Sequence, residues 1–420
     1  MHQIKQLKNG LNLITVDLPE LKSVTTLLAV GAGSRYETKN INGISHFLEH
    51  MFFKGSRKYP TAEQIATLID GIGAANNAAT DKEVTYYWIK SAAKHLELST
   101  DVLSSMVKES LLAEDEIEKE KGVIIEELRM RRDNPAILVW EQYEQLQFGD
   151  QPLGWDIGGD EKTILSMKRT DFTKYIDSLY SPKNMVLVYV GKLPKDIESL
   201  AEQYFSGLPS LSQFKLTPFK KLKQTKPKVG VYFKDTDQVN LIFGVEGYDR
   251  DDDRRYAAKI LSAILGEGMS SRLFIQVREK RGLAYRISAG HEPYIDTGAF
   301  VVFAGLKLEK VDEGLEVIKA ELERVAAENV LEEELKKAKE MIRGRLALSM
   351  ESTNFLAEFF GTNFVLDRKV KTFEEILKKL DAVTIQDVRK VAEELFKKEK
   401  YNLQIVGPFK SPDKFAKILE

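Results

Sequence analysis

The chain has 420 residues, 43% of them apolar and 30% charged, which describes an ordinary soluble protein too long for one comfortable core. Its formal net charge of −2 gives no electrostatic reason to expect nucleic acid or an anionic membrane as partner. There is no cysteine, so disulfides and thiolate metal sites are excluded, and any transition metal must be held by His, Asp or Glu.

The first element, "IKQLKNGLNLITVD", reads as two short alternating strands around Asn9-Gly10, a strong hairpin signal. It does not look like a secretory leader, and no apolar run approaches membrane-spanning length, so the expected location is cytoplasmic. "VTTLLAVGAGSR" follows from Val24, a strand-like run ending in a glycine turn. Next comes "GISHFLEHMFFKG", from Gly43 to Gly55, with two of the chain's five histidines. Residues four apart lie one above the other on a helix, so His46 and His50 can present two imidazoles to one ion. Glu49 stands directly before His50 and brings a carboxylate near a water on that ion. This H-x-x-E-H order is the inverzincin pattern, the reverse of H-E-x-x-H. The plainer account is two polar histidines at the edge of a helix.

A catalytic zinc needs three protein ligands and an open position. "EKEKGVIIEELRM", a strongly helical stretch, offers Glu118, Glu120, Glu126 and Glu127. Glu120 and Glu127 are seven apart and share a face, whereas Glu126 points about 100° away from Glu127. One carboxylate can ligate while a neighbour orients a ligand or the water. Geometry alone does not say which glutamate ligates, and a solvated acidic helix is the plainer account of such a run.

The second half repeats the first. "VNLIFGVEGYDR" from Val239 matches "VTTLLAVGAGSR" from Val24 at an offset of 215, and "YNLQIVGPF" from Tyr401 matches "NMVLVYVGKL" from Asn184. A helical stretch precedes each of the latter two, "TIQDVRKVAEELF" and "TDFTKYIDSLY". The expected division is therefore a first domain over 1–210, a polar, proline-containing linker over 211–228 and a homologous domain over 229–420. Each half mixes strands with long helices. The economical architecture is α+β, a mixed or antiparallel sheet with helices packed mainly on one face. Shifted by 215, His46, Glu49 and His50 fall on Leu261, Ile264 and Leu265, so the second half keeps the helix and lacks the metal chemistry. One metal per chain follows. His2, His95 and His291 have no comparable partners and read as surface or structural residues.

These motifs together resemble the pitrilysin-type inverzincin peptidases, most of all the two-domain branch that includes mitochondrial processing peptidase and its bacterial relatives. That family carries H-x-x-E-H, a ligand glutamate 76 intervening residues later, and a second glutamate seven before it. Counting from His50 reaches Glu127, and seven earlier is Glu120. "NAATDKEVTYY" fits the family's N-A-x-T-x-x-x-x-T-x-Y strand, and "GMSSRLFIQVREKRGLAY" places Arg278 and Tyr285 at the spacing of its substrate-binding pair. The resemblance covers nearly the whole chain.

It implies that His46, His50 and Glu127 hold one Zn2+, with Glu49 as the base that activates water and Glu120 behind the ligands. It implies an edge strand at Asn77 and Ala78 for an extended peptide, and Arg278 and Tyr285 as donors to the substrate carbonyl or oxyanion. Two such domains form half of a clamshell chamber, so a homodimer is expected in which Arg278 and Tyr285 complete the partner's site. The implied activity is zinc-dependent endoproteolysis of short or unfolded peptides, with no nucleic acid or membrane partner. The alternatives are a non-catalytic scaffold of the respiratory-core type and a subunit active only beside a different one. Filled ligand positions speak against the former, and the presence of the Arg/Tyr motif against the latter. The glycine-rich loop, "GEGMSS" from Gly266, is short, which puts presequence-like selectivity in doubt.

Overall fold

The structure, a computed structural model, describes residues 2–208 and 216–419. Residues 211–215 of the expected linker lie outside the described residues.

Two compact units emerge. The first is built on a six-stranded mixed sheet made of β1 (Gln3–Gln6), β2 (Asn12–Asp17), β3 (Ser23–Val30), β4 (Ala75–Thr80), β5 (Thr85–Ala92) and β6 (Met185–Gly191), in the order β1-β2-β6-β3-β5-β4. Only β2 and β6 run parallel. The expected hairpin joins β1 to β2, its turn spanning residues 7–11 with Gly10 at φ 90°. The second unit holds β7 (Lys228–Phe233), β8 (Gln238–Glu246), β9 (Ala284–Pro293), β10 (Gly298–Lys307) and β11 (Asn402–Gly407), in the order β7-β11-β8-β10-β9. Its one parallel pair is β7 with β11. Strand for strand this is the first sheet without β1. β2, β3 and β6 stand 215 to 217 positions before β7, β8 and β11, so the sequence repeat is a repeat of topology.

Alternation along the central strands assigns the two faces of each sheet. In β3, Val24, Leu28 and Val30 enter a core shared with the helices Ile44–Phe52, Leu96–Lys108 and Arg169–Leu179. In β8, Val239, Leu241, Phe243 and Val245 do the same with Arg254–Gly266, Val311–Ala327 and Ile385–Leu395. The opposite face of each sheet takes one helix, and that helix comes from the other half of the chain. Thr353–Asp367 lies on β3 and β6, where Gly361 admits Leu27, Ala29 and Val188; an added Cβ would meet Leu27 at 2.8 Å. Thr25 Oγ1 lies 2.9 Å from Thr353 Oγ1 and donates to Asn354 Oδ1 at 2.8 Å. Pro135–Phe148 lies on β8 and β11, with Leu138, Val139 and Tyr143 against Ile242 and Val406. Here the glycine is on the strand: a Cβ at Gly244 would meet Tyr143 Oη at 2.1 Å.

The contiguous division expected from sequence is therefore corrected. Residues 129–155 pack with the second unit and 347–370 with the first. The reason is that an open sheet needs both faces covered, and each half supplies its own helices for one face only. Among the described residues no helix is long and apolar enough to cross a membrane.

Candidate metal centre

The helix Ile44–Phe52 begins at Gly43, whose φ of 96° and close approach to Gly158 O suit glycine alone; a Cβ there would meet that oxygen at 2.5 Å. Ile44, Phe47, Leu48, Met51 and Phe52 are buried at helical spacing, which turns His46, Glu49 and His50 toward the rim. In place of a side-chain cap at Gly43, the buried carboxylate of Glu37 accepts from Gly43 N and Ser45 N, each at 2.8 Å. It also takes the Ser45 hydroxyl at 2.6 Å and the Asn42 amide at 2.8 Å. Burial pushes the Glu37 carboxyl up, and the hydrogen bonds from Ser45, Asn42 and Gly43 oppose it. Four donors and the positive end of the helix receive this carboxylate, so the start of the helix is fixed.

The facing element is the helix Glu114–Asp133. Ile117, Ile124 and Leu128 anchor it, and Glu120 is buried among them. Glu127 is partly exposed on the same face, whereas Glu126 is turned to solvent and Glu118 pairs with Lys121 at 2.6 Å. His46 Nε2 and His50 Nε2 are 3.3 Å apart, and the two carboxylate oxygens of Glu127 lie 3.5 Å and 3.6 Å from them respectively. Among the described residues these three form the cluster able to hold a metal ion. The donor set tests well: the edge of a tetrahedron with zinc–ligand bonds near 2.1 Å is about 3.4 Å. Two imidazoles and a carboxylate also suit zinc chemically.

Behind the triad, Glu120 Oε1 is 2.8 Å from His50 Nδ1, which leaves Nε2 of His50 turned toward Glu127. Its other oxygen, Oε2, is 2.6 Å from Lys54 Nζ. Burial raises the Glu120 carboxyl, but His50 and Lys54 outweigh it and hold it below the usual carboxylate range. Burial lowers the His50 imidazolium, but Glu120, Glu127 and Glu49 outweigh it and hold it above its ordinary value. Glu49 is pushed up by burial against a 2.5 Å hydrogen bond from Thr80 Oγ1 and the charge of His50. Raising a carboxyl's pKa makes its ionised form a stronger proton acceptor. Lys54 escaped sequence reasoning as a site residue, although it stands one further turn along the His46–His50 stripe. In the sequence Thr80 figures only as the threonine of the N-A-x-T strand motif, with no role at the site.

Asn77 and Ala78 lie on β4, the edge strand of the first sheet, opposite Trp88 and Tyr87 of β5. Arg278 and Tyr285 belong to the second unit. Arg278 sits in a π-helical turn, Phe274–Glu279, marked by the Lys280 N to Ile275 O bond, and Gly282 at φ 62° ends it. Tyr285 is the extra residue of a β-bulge on the edge strand β9: Ala284 faces Leu306, Arg286 faces Gly305, and Tyr285 has no partner between them. The guanidinium of Arg278 lies 5.2 Å from the ring of Tyr285 and 4.7 Å from that of Phe274. The bulge leaves Tyr285 76% exposed, with Arg278 partly buried beside it.

In the second unit Leu261, Ile264 and Leu265 are buried in the core. His291 is also structural: its Nε2 accepts from Tyr248 N at 3.1 Å, and burial, then Arg255 and Lys259, lower its pKa to about 4.

The profile of insulinase, peptidase family M16, matches residues 13–161, and that of the peptidase M16 inactive domain matches residues 166–342. An uncharacterised zinc protease of Bacillus subtilis is 35% identical over 401 residues, 96% of this chain and 97% of that protein. The crystal structure of a protease from Helicobacter pylori superposes with a TM-score of 0.90 at 25% identity, covering 97% of this chain and 99% of the other. A chain of complex III2 from Candida albicans shares the fold alone, with a TM-score of 0.84, 18% identity and 99% of both chains covered. Matching profiles on both halves and a full-length relative at this identity lead to one conclusion: the chain belongs to the M16 family of metallopeptidases.

Proposed function

We propose that the protein is a zinc-dependent endopeptidase that hydrolyses short or unfolded peptides within a dimeric chamber. The observation that carries this reading is a triad of donors at tetrahedral spacing with an independently held carboxylate, Glu49, one residue from a ligand. His46, His50 and Glu127 would hold one ion per chain, and a bound Zn2+ supplies Lewis acidity toward the scissile carbonyl and toward water. Glu49 accepts a proton from the attacking water as the new C–O bond forms. It then returns that proton to the amine nitrogen as the C–N bond breaks. Thr80 occupies Oε2 of Glu49 and leaves Oε1 for this exchange. Glu120 keeps the His50 ring in the orientation that directs Nε2 to the ion.

The substrate backbone pairs with β4 at Asn77 and Ala78, whose outer edge carries no further strand among the described residues. Arg278 and Tyr285 serve the partner subunit's site in a homodimer. The supporting observations are the exposure of Tyr285 and the guanidinium of Arg278 lying over its ring. A mixture of His46→Ala and Arg278→Ala proteins then recovers activity that neither has alone. Absence of recovery after verified subunit exchange rejects the shared site.

The first experiment is cleavage of an unstructured peptide of a few tens of residues by the wild type and by Glu49→Gln. Cleavage by the wild type, with Glu49→Gln inactive but still zinc-loaded, is expected. A zinc-loaded wild type that cuts no peptide of a varied set rejects the hydrolase reading in favour of a scaffold subunit.

A further inference from the structure

We propose that Lys54 is a positioning residue of the metal centre, acting through Glu120 on His50; this rests on the zinc reading above. His46, His50 and Lys54 recur every four residues and form one stripe, continued past the last helical turn by the Lys54 N to Met51 O bond. Glu120 and Glu127, seven apart, form the opposing stripe on Glu114–Asp133. The stripes run in opposite directions. His46 and His50 meet Glu127, His50 also meets Glu120, and Lys54 meets Glu120. The row that begins as two ligands facing a ligand ends as an ammonium facing a carboxylate.

Glu120 has a side chain only 5% exposed, and each oxygen has a different partner: His50 Nδ1 at 2.8 Å and Lys54 Nζ at 2.6 Å. With one partner, the carboxylate is free to turn about its last torsion, a broad and soft one. With two, its plane is set, and the imidazole hydrogen-bonded to it is set as well. Ligand orientation by such outer partners is worth about 10–100-fold in metal affinity. Lys54 itself is 28% exposed, so its head group can be removed without opening the core. Its location just past the helix end also gives it a favourable charge–dipole interaction, which is the competing explanation for any effect of its removal.

The two explanations separate in a double-mutant cycle on zinc affinity, measured by competition with a chromophoric chelator on the full-length protein at constant pH. Lys54→Met is expected to raise the zinc Kd about tenfold, at the lower end of that range. Lys54→Arg, which keeps a cation that can reach the same oxygen, restores most of the affinity. Glu120→Gln weakens binding further, and adding Lys54→Met to it changes nothing more. Wild-type affinity in Lys54→Met, or a full additional loss in the Glu120→Gln background, overturns the proposal. The helix-dipole account predicts that additional loss. Thermal unfolding of the metal-free variants, expected to match the wild type, separates positioning from a folding defect; an unstable Lys54→Met with a wild-type Lys54→Arg leaves the cycle to be run with Lys54→Gln. A wild type that binds no zinc rejects the metal reading itself, a result distinct from a wild type that binds zinc and is indifferent to Lys54.

Discussion

Thr80, on the edge strand β4, donates its hydroxyl to Glu49 on the histidine helix across 2.5 Å. This one bond ties the proposed base to the strand on which, in the proposed function, a peptide backbone would lie. It also opposes the burial that raises the Glu49 carboxyl. Thr80→Val keeps the shape and removes the donor. A hydrogen bond to a charged group is worth about 1.5–3 kcal/mol, so kcat is expected to fall roughly 10- to 100-fold while zinc affinity is unchanged. The bond favours the ionised carboxylate, so its loss moves the acidic limb of the pH–rate profile to higher pH. An unshifted limb removes Thr80 from the machinery.

Acid should strip the metal early. An imidazole ligates only when neutral, and His50 in the metal-free protein titrates above its ordinary value, chiefly because Glu120 overcomes the effect of burial. Protons therefore begin to compete for it at a pH above that of an ordinary histidine. Zinc release followed against pH checks this directly. In Glu120→Gln the raising influence is gone, so the competing titration moves to lower pH, even though affinity at neutral pH is weaker. Weaker affinity by itself moves zinc release to higher pH, so the variant is compared through the His50 ring signals of the metal-free protein by NMR. A His50 titration that is unmoved or raised in Glu120→Gln contradicts the arrangement.

His291 sets a different pH dependence, on folding. Its folded pKa of about 4 lies below the ordinary 6.5, so the unfolded chain binds the extra proton between those values. The stability it contributes is whole above pH 6.5 and is lost as pH falls toward 4, in total roughly 3 kcal/mol by linkage. Denaturant unfolding at pH 7 and pH 4.5 is expected to show this loss, and His291→Gln a smaller difference between the two. Equal slopes in wild type and variant show that other groups dominate.

Much of the centre was legible because its spacing is local. His46 and His50 four apart, and Glu120 and Glu127 seven apart, are fixed by helix geometry once the helices exist. The repeat was legible because matching strands kept a nearly constant offset. Other features depend on tertiary choice. Nothing local in Pro135–Phe148 or Thr353–Asp367 says which sheet each covers. The bulge at Tyr285 is a one-residue register change within an ordinary strand pattern, and the π-turn at Arg278 differs from an α-helix only in its hydrogen-bond partners. Glu37 belongs to no motif of the sequence, and its partners Gly43 and Ser45 lie beyond a turn of 3₁₀ helix.

The exchanged helices set the order in which the chain can mature on the ribosome. The face of the first sheet formed by Leu27, Ala29 and Val188 stays open until Thr353–Asp367 has been synthesised, although every strand of that sheet is complete by Gly191. Leu356, Phe360 and Val365 of that helix are buried, and at about 1.5–3 kcal/mol each they contribute an amount comparable to the net stability of a domain. The nascent first half therefore waits, incompletely covered, from Gly191 until Asp367 has been added. A nick between residues 216 and 227 of the finished protein would sever the backbone yet leave each fragment carrying a helix that the other fragment's sheet requires.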